Sequence, residues 1–184
     1  MLEPAHAHAI LASAEVVCTA DEVQRIVDRM AQEITDALGA RYPLLLSIMG
    51  GAVVFTGQLL PRLRFPLDFD YLHASRYRGL QGGPAIQWKV RPTEDVRGRV
   101  VLVVDDILDE GHTLAAVRTE LLEAGAAEVH NAVLCEKRLD RQKPVQADFV
   151  GITVPDRYVF GFGMDVHGAW RNLPAIYAVA AGSA

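Results

Sequence analysis

Cysteine is scarce in this chain. Cys18 and Cys135 are the only two in 184 residues and share neither redox nor zinc spacing, which excludes a disulfide scaffold and a thiolate metal site. Positive charge is not in excess either: 18 Lys and Arg against 23 Asp and Glu give a formal charge of −5, so no broad basic face can neutralise a nucleic-acid backbone. The six histidines show no metal-ligating spacing, and His6 and His8 are only two apart. No apolar run approaches a bilayer span, and the start Met1-Leu-Glu-Pro-Ala-His lacks the pattern of an export signal. The expectation is a reduced, cytoplasmic protein without nucleic-acid or membrane partners. A small phosphorylated ligand stays open, because backbone N–H groups and a bound cation hold phosphate without Lys or Arg.

What is present is the composition of one folded domain over residues 1–184, with 51% hydrophobic and 22% charged residues. From Ala20 to Leu38, Val23, Ile26, Val27, Met30, Ile34 and Leu38 recur every three or four positions, as a helix with one buried stripe requires. Thr19 with Glu22 makes a capping box at its start. Leu44 to Ile48 reads as a buried strand that stops at Gly50-Gly51, and a helix is expected over 52–63. Over 65–73, Phe65, Leu67, Phe69 and Tyr71 alternate with Pro66, Asp68, Asp70 and Leu72, which predicts a strand. The stretch 75–84 has three glycines, two arginines and a proline but no periodicity, so a mobile loop is expected at about 75–86. Further strands are expected at 86–90, 99–104, 129–134, 149–154, 158–163 and 176–180, with a helix over 113–124 closed by Gly125. This alternation predicts an α/β fold: a mostly parallel twisted sheet with helices on both faces, binding ligands beyond the carboxyl ends of its strands.

One segment concentrates chemistry. Val101-Leu-Val-Val-Asp-Asp-Ile-Leu-Asp-Glu-Gly-His-Thr-Leu114 runs an apolar strand into Asp105 and Asp106, then through Asp109, Gly111, His112 and Thr113 into a helix. Adjacent acids ending a buried strand repel each other unless a cation or ligand compensates them. Backbone N–H groups of Gly111 to Thr113, with the Thr113 hydroxyl, can cradle a phosphate, and Asp105 and Asp106 can hold Mg²⁺ directly or through water. The competing reading is a solvated cluster of N-cap acids. A phosphorylation receiver also uses an acid pair, but near its first strand rather than past the middle of the chain.

Segment 101–114 resembles the phosphoribosyl pyrophosphate signature of the type I phosphoribosyltransferases. Val154-Pro-Asp-Arg-Tyr-Val-Phe-Gly-Phe-Gly-Met-Asp165 resembles the purine-recognition hood of their hypoxanthine-guanine branch, so the resemblance covers roughly residues 44–180. It implies the type I phosphoribosyltransferase fold with a small hood at about 151–171, formed largely by C-terminal segments. The implied reaction is transfer of 5-phosphoribosyl from its pyrophosphate to a 6-oxo purine with Mg²⁺, by a homodimer or homotetramer. By position, the resemblance assigns Asp105 and Asp106 to the ribose hydroxyls and metal, and Asp109 to the general base at purine N7. Asp109, Glu110, Gly111, His112 and Thr113 would hold the 5′-phosphate. Tyr158 would stack on the purine, the Val159 backbone would pair with its edge, and Lys137 would donate to its 6-oxo group. Asp165 would serve the purine site and a second metal, and Arg171 would lie near the pyrophosphate. Met49, Gly50 and Gly51 would form the pyrophosphate loop, with a non-proline cis bond by position at Ile48–Met49, and Ser75 and Tyr77 would close over the reacting centre.

Two positions depart from the family pattern. Met49 stands where lysine is common, leaving that loop its backbone role, and Arg76 replaces a small residue; Arg76 or Arg78 would help neutralise pyrophosphate. Read without the resemblance, Glu136-Lys137-Arg138 is a solvated charge cluster, Tyr158 a packing aromatic and Asp165 a turn residue. A lysine ammonium facing a 6-oxo group discriminates against the amino group of adenine, yet suits hypoxanthine, guanine and xanthine alike. A xanthine-preferring enzyme and a non-catalytic sensor of phosphoribosyl pyrophosphate are the alternatives.

Overall fold

The computed structural model describes residues 2–78 and 84–180. Two elements that the sequence pattern does not announce come first: α1 (Pro4–Ser13), which buries only Ala7 and Ile10, and β1 (Glu15–Cys18). In α2 (Ala20–Leu38) the expected stripe is buried at Val23, Val27, Met30, Ile34 and Leu38. Thr19 Oγ1 accepts from the Glu22 N–H while the Glu22 carboxylate accepts from the Thr19 N–H. β2 (Leu44–Ile48), α3 (Val53–Leu59), a 3-10 turn (Leu60–Arg62), β3 (Asp68–Arg78) and β4 (Pro84–Val90) follow. Then come β5 (Val100–Leu108), α4 (His112–Glu123), β6 (Glu128–Lys137), β7 (Phe149–Val154), β8 (Val159–Phe160) and β9 (Ile176–Ala178).

Six strands form one sheet in the order β4-β3-β2-β5-β6-β7, parallel except for β4, which pairs antiparallel with β3 at the edge. On one face, residues of α2 and α3 pack with Leu45, Leu102, Val104 and Leu134; on the other, residues of α4 pack with Leu46, Val101, Val103 and Val133. Both faces are covered, as near-continuous apolar strands demand. From β2 the winding passes to β3 on one side and to β5 on the other, so the carboxyl ends of β2 and β5 flank the point where it reverses. A smaller antiparallel sheet, β1-β9-β8, joins N- and C-terminal segments. Ile10 of α1 packs there with Phe160, Val166 and Val179, and Trp170 Nε1 donates to Ala7 O at 2.8 Å. Among the described residues no helix is long and apolar enough to cross a membrane.

Three expectations change. The alternation over 65–73 is inverted, because Phe69 and Tyr71 are 44% and 43% exposed while Asp70 and Leu72 are buried. Burial of the Asp70 carboxylate is tolerated since it accepts from the N–H groups of Tyr71, Thr93 and Glu94 and from the Thr93 hydroxyl, all within 3.0 Å. The loop expected at about 75–86 is in large part a hairpin, with Ser75 opposite Gln87 and Tyr77 opposite Ala85, so cross-strand pairing supplies order that periodicity does not report. Residues 79–83 and the side chains of Ser75, Arg76, Tyr77 and Arg78 lie outside what is described. The strand expected over 158–163 stops at Phe160, since Gly161, Phe162 and Gly163 take φ of 96°, 50° and 105°, which extended backbone cannot do.

Asp70 carries a stability prediction. Burial pushes its carboxyl up, but the N–H groups of Glu94, Tyr71 and Thr93 and the Thr93 hydroxyl outweigh burial and hold it below the usual aspartate range. A depressed folded-state value means the stabilisation is complete above the unfolded value of about 3.9 and is lost as pH falls through the lower folded value. Asp70→Asn is expected to cost about 2–3 kcal/mol at pH 7, with a smaller difference from wild type below pH ~3, read from urea unfolding at the two pH values.

Candidate functional site

The acid-bearing strand runs further than its apolar core suggests. β5 continues through Asp105 and Asp106 to Leu108, held in register opposite Glu136 of β6. Asp105 accepts from the Asp106 N–H at 2.9 Å, and Asp106 accepts from the Ile107 N–H at 2.8 Å. Burial and the neighbouring Asp106 charge push the Asp105 carboxyl well above the usual range. Burial also raises Asp106, although its hydrogen bonds and the Arg171 charge oppose the shift. Among the described residues no three His, Cys, Asp or Glu side chains gather into a metal cage. The acid pair therefore suits a hard cation that brings other oxygen ligands with it.

α4 starts without a side-chain cap. Gly111 occupies the N-cap at φ 82°, and no acid lies in the first turn, which suits the leading N–H groups to an anionic ligand. The N-cap-acid reading of this turn therefore does not hold. Asp109 and Glu110 turn instead to partners across the strand ends: Asp109 Oδ2 lies 3.1 Å from Lys137 Nζ, and Glu110 pairs with Arg141.

A cavity of about 250 Å³ brings together Met49, Gly51, Asp105, Asp106, Asp109, Glu110, Gly111, Thr113, Asp165 and Arg171. Gly50 and His112 are exposed and do not line it. A second cavity of about 230 Å³ is lined by Asp106, Ile107, Asp109, Lys137, Tyr158, Val159, Met164 and Asp165, so Asp106, Ile107, Asp109 and Asp165 form a shared wall. Lys137 is only 13% exposed and also approaches Asp156 Oδ1 at 3.7 Å, which sets aside the solvated-cluster reading. Tyr158 is exposed rather than packed in the core, its ring 6.3 Å from the His167 ring at an interplanar angle of 23°. Partial burial, followed by the Asp165 charge, raises its phenol. Asp165 accepts from Arg171 Nη2 at 2.6 Å and from the Gly168 N–H at 2.7 Å, while Arg171 Nη1 donates to Gly163 O at 2.7 Å.

Close backbone approach ties these parts together. A Cβ on Gly51 would fall 1.6 Å from Asp106 Oδ2, so the carboxylate would have to move, whereas one on Gly163 would fall 2.0 Å from the backbone oxygen of Gly51, so that position excludes any side chain. Among the described residues the non-proline cis bond is Met49–Gly50, one bond later than the Ile48–Met49 position the resemblance implied. Ile48 is still paired with Leu72, and the Met49 N–H donates to Leu72 O at 2.7 Å, so strand pairing carries the chain up to Met49, where the turn begins. Sequence reasoning missed Ile107 and Met164 as wall residues, Asp156 beside Lys137 and His167 beside Tyr158. The first three lie inside the quoted motifs, whose sequence does not say which side chains face inward.

The phosphoribosyl transferase domain family matches residues 19–167. The hypoxanthine-guanine phosphoribosyltransferase of Streptococcus pneumoniae is 31% identical over 163 residues, covering 88% of this chain and 91% of that protein. The hypoxanthine-guanine-xanthine phosphoribosyltransferase of Tritrichomonas foetus is 32% identical over 162 residues, covering 88% of each. Among solved structures, a hypoxanthine phosphoribosyltransferase from Staphylococcus aureus matches with a TM-score of 0.86 at 25% identity, over 93% of this chain and 94% of that one. A hypoxanthine-guanine-xanthine phosphoribosyltransferase matches with a TM-score of 0.80 at 30% identity, over 90% and 96%.

Proposed function

Because this chain belongs to the phosphoribosyl transferase domain family, we propose that it transfers 5-phosphoribosyl from phosphoribosyl pyrophosphate to N9 of hypoxanthine or guanine, giving IMP or GMP and pyrophosphate. The observation that carries the choice of base is the 3.1 Å pairing of Lys137 Nζ with Asp109 Oδ2 on the wall of the second cavity. It sets one donor beside one acceptor. N7 and O6 share an edge of a 6-oxo purine, so the N7–H tautomer would donate to Asp109 while O6 accepts from Lys137. Adenine would turn an amino donor toward the ammonium and leave both unpaired.

Chemistry at the anomeric carbon builds oxocarbenium character, so the site must orient the purine, stabilise departing pyrophosphate and exclude water. Asp109 would take the N7 proton as N9 attacks, returning the ring to its aromatic nucleotide form. The backbone N–H groups at the uncapped start of α4, from Glu110 to Thr113, with the Thr113 hydroxyl, would hold the 5′-phosphate, and Asp105 and Asp106 the ribose hydroxyls. The Met49–Gly51 backbone and Arg171 would face the pyrophosphate. Tyr158 would cover the purine, Val159 would pair with its edge through the backbone, and Ser75 and Tyr77 would close over the centre. Mg²⁺ fits the oxygen donors of the Asp105–Asp106 pair, with Asp165 apart from them for a second ion, and when bound it would neutralise charge on the pyrophosphate oxygens. We take the protein to be a cytoplasmic homodimer or homotetramer.

The test is a coupled assay with Mg²⁺, phosphoribosyl pyrophosphate and hypoxanthine, guanine, xanthine or adenine in turn. Pyrophosphate release with hypoxanthine and guanine but little with adenine is expected. Xanthine as the best base would move the specificity reading, and turnover with none of the four would overturn the proposal. Gly51→Ala is expected to lower kcat/KM for phosphoribosyl pyrophosphate by about 100-fold or more in steady-state kinetics, because its Cβ displaces the Asp106 carboxylate.

A further inference from the structure

Lys143 lies in the connection between β6 and β7, outside every motif discussed above, and its side chain is only 10% exposed. A buried ammonium is costly unless each of its three protons finds an acceptor. Here Nζ donates to Lys137 O at 2.7 Å, to Leu108 O at 3.1 Å and to Glu136 Oε1 at 3.1 Å. The two carbonyls belong to the last residues of β6 and β5. Leu108 immediately precedes Asp109, and Lys137 is itself the other member of the ion pair on the cavity wall. The parallel ladder between β5 and β6 ends at Leu108 opposite Glu136, so beyond that point no sheet hydrogen bond fixes one strand end against the other.

We propose that Lys143 is a positioning residue that sets the spacing of Asp109 and Lys137 from behind the site and thereby sharpens selection of 6-oxo purines. It does not line either substrate-sized cavity. It lines instead a third cavity of about 340 Å³, together with Glu136, Lys137, Arg138 and Arg141. It thus touches no substrate and acts through the backbone of Lys137 and of Leu108, the residue before Asp109. One cation bridging the carboxyl ends of neighbouring strands replaces the missing rung of the ladder. The inference rests on the phosphoribosyltransferase reading above.

The experiment compares wild type, Lys143→Met and Lys143→Cys, the last before and after alkylation with 2-bromoethylamine, which rebuilds an ammonium at nearly the length of lysine. Cys18 and Cys135 are buried and spared by brief treatment of the folded protein. The readouts are KM and kcat for hypoxanthine, KM for phosphoribosyl pyrophosphate, the hypoxanthine-to-adenine ratio of kcat/KM, and thermal midpoint. Lys143→Met is expected to lower that ratio about tenfold and to raise the hypoxanthine KM more than the phosphoribosyl pyrophosphate KM, since small misplacement of reacting groups is amplified in rate. Aminoethylation of Lys143→Cys should restore the ratio. A lower thermal midpoint with an unchanged ratio in Lys143→Met, or in Lys143→Cys should the first variant not fold, would overturn the proposal, as would an ammonium that restores stability but not selectivity. Wild type inactive on every base would instead defeat the phosphoribosyltransferase reading, so the two failures are distinct.

Discussion

Asp109→Ala is expected to lower kcat by about 10²–10⁴-fold, the range a positioned general base supplies, while KM for phosphoribosyl pyrophosphate rises less than in Asp106→Ala. The asymmetry follows from where the two carboxylates sit. Both belong to the wall shared by the two cavities, but Asp109 pairs with Lys137, on the side proposed for the purine edge. Asp106 lies against Gly51 and feels the Arg171 charge, on the side assigned to ribose and pyrophosphate. Removing Asp109 therefore deletes the proton acceptor and leaves most phosphate contacts standing. Asp109→Asn separates the two parts of its role, because the amide keeps a polar group beside Lys137 yet cannot take a proton from N7. Both variants should be slow, with Asn retaining the better hypoxanthine KM. Wild-type turnover in either variant would remove Asp109 from the base role.

What the sequence made legible depended on whether burial left a periodic or a local trace. α2 could be read to the residue, because a capping box and five buried apolar positions at helical spacing all report the same element. The expected facing of β3 is inverted, since Asp70 is a polar residue made internal by four hydrogen bonds, three of them from Thr93 and Glu94, distant in sequence. The hairpin of β3 and β4 left no pattern because its order comes from pairing between strands. α1 has almost no apolar stripe and is fixed by Trp170, more than 150 residues away, which no local reading detects.

The site divides along the same line. Asp105 to Thr113 is contiguous, and an acid pair late in a buried strand before an uncapped helix carries its chemistry in one stretch of chain. The pairing of Lys137 with Asp109 spans 28 positions and depends on β5 and β6 being parallel neighbours in register. Without the resemblance, Lys137 was an ordinary surface lysine. Lys143 left no signal, because a lysine beside arginines in a polar connection looks solvated until the two strand ends are seen to share its ammonium.

Lys137→Ala is expected to reduce kcat/KM for hypoxanthine by about 10²–10³-fold while adenine, never well accommodated, changes little, so discrimination between the two largely collapses. KM for phosphoribosyl pyrophosphate should stay within about twofold, because Lys137 lines only the second of the two cavities. A lysine that mattered only as a fold-stabilising ion pair would behave otherwise: both bases and the sugar pyrophosphate would suffer together, in step with the thermal midpoint. The double variant Lys137→Ala/Lys143→Met makes the sharper comparison. If Lys143 acts through Lys137 and Asp109, its removal has little selectivity left to remove once the Lys137 ammonium is gone, and the two effects on the hypoxanthine-to-adenine ratio are strongly non-additive. Additive losses would mean that Lys143 influences base choice by a route that does not pass through this pair, and the geometry offers none, since its three acceptors are Lys137 O, Leu108 O and Glu136 Oε1.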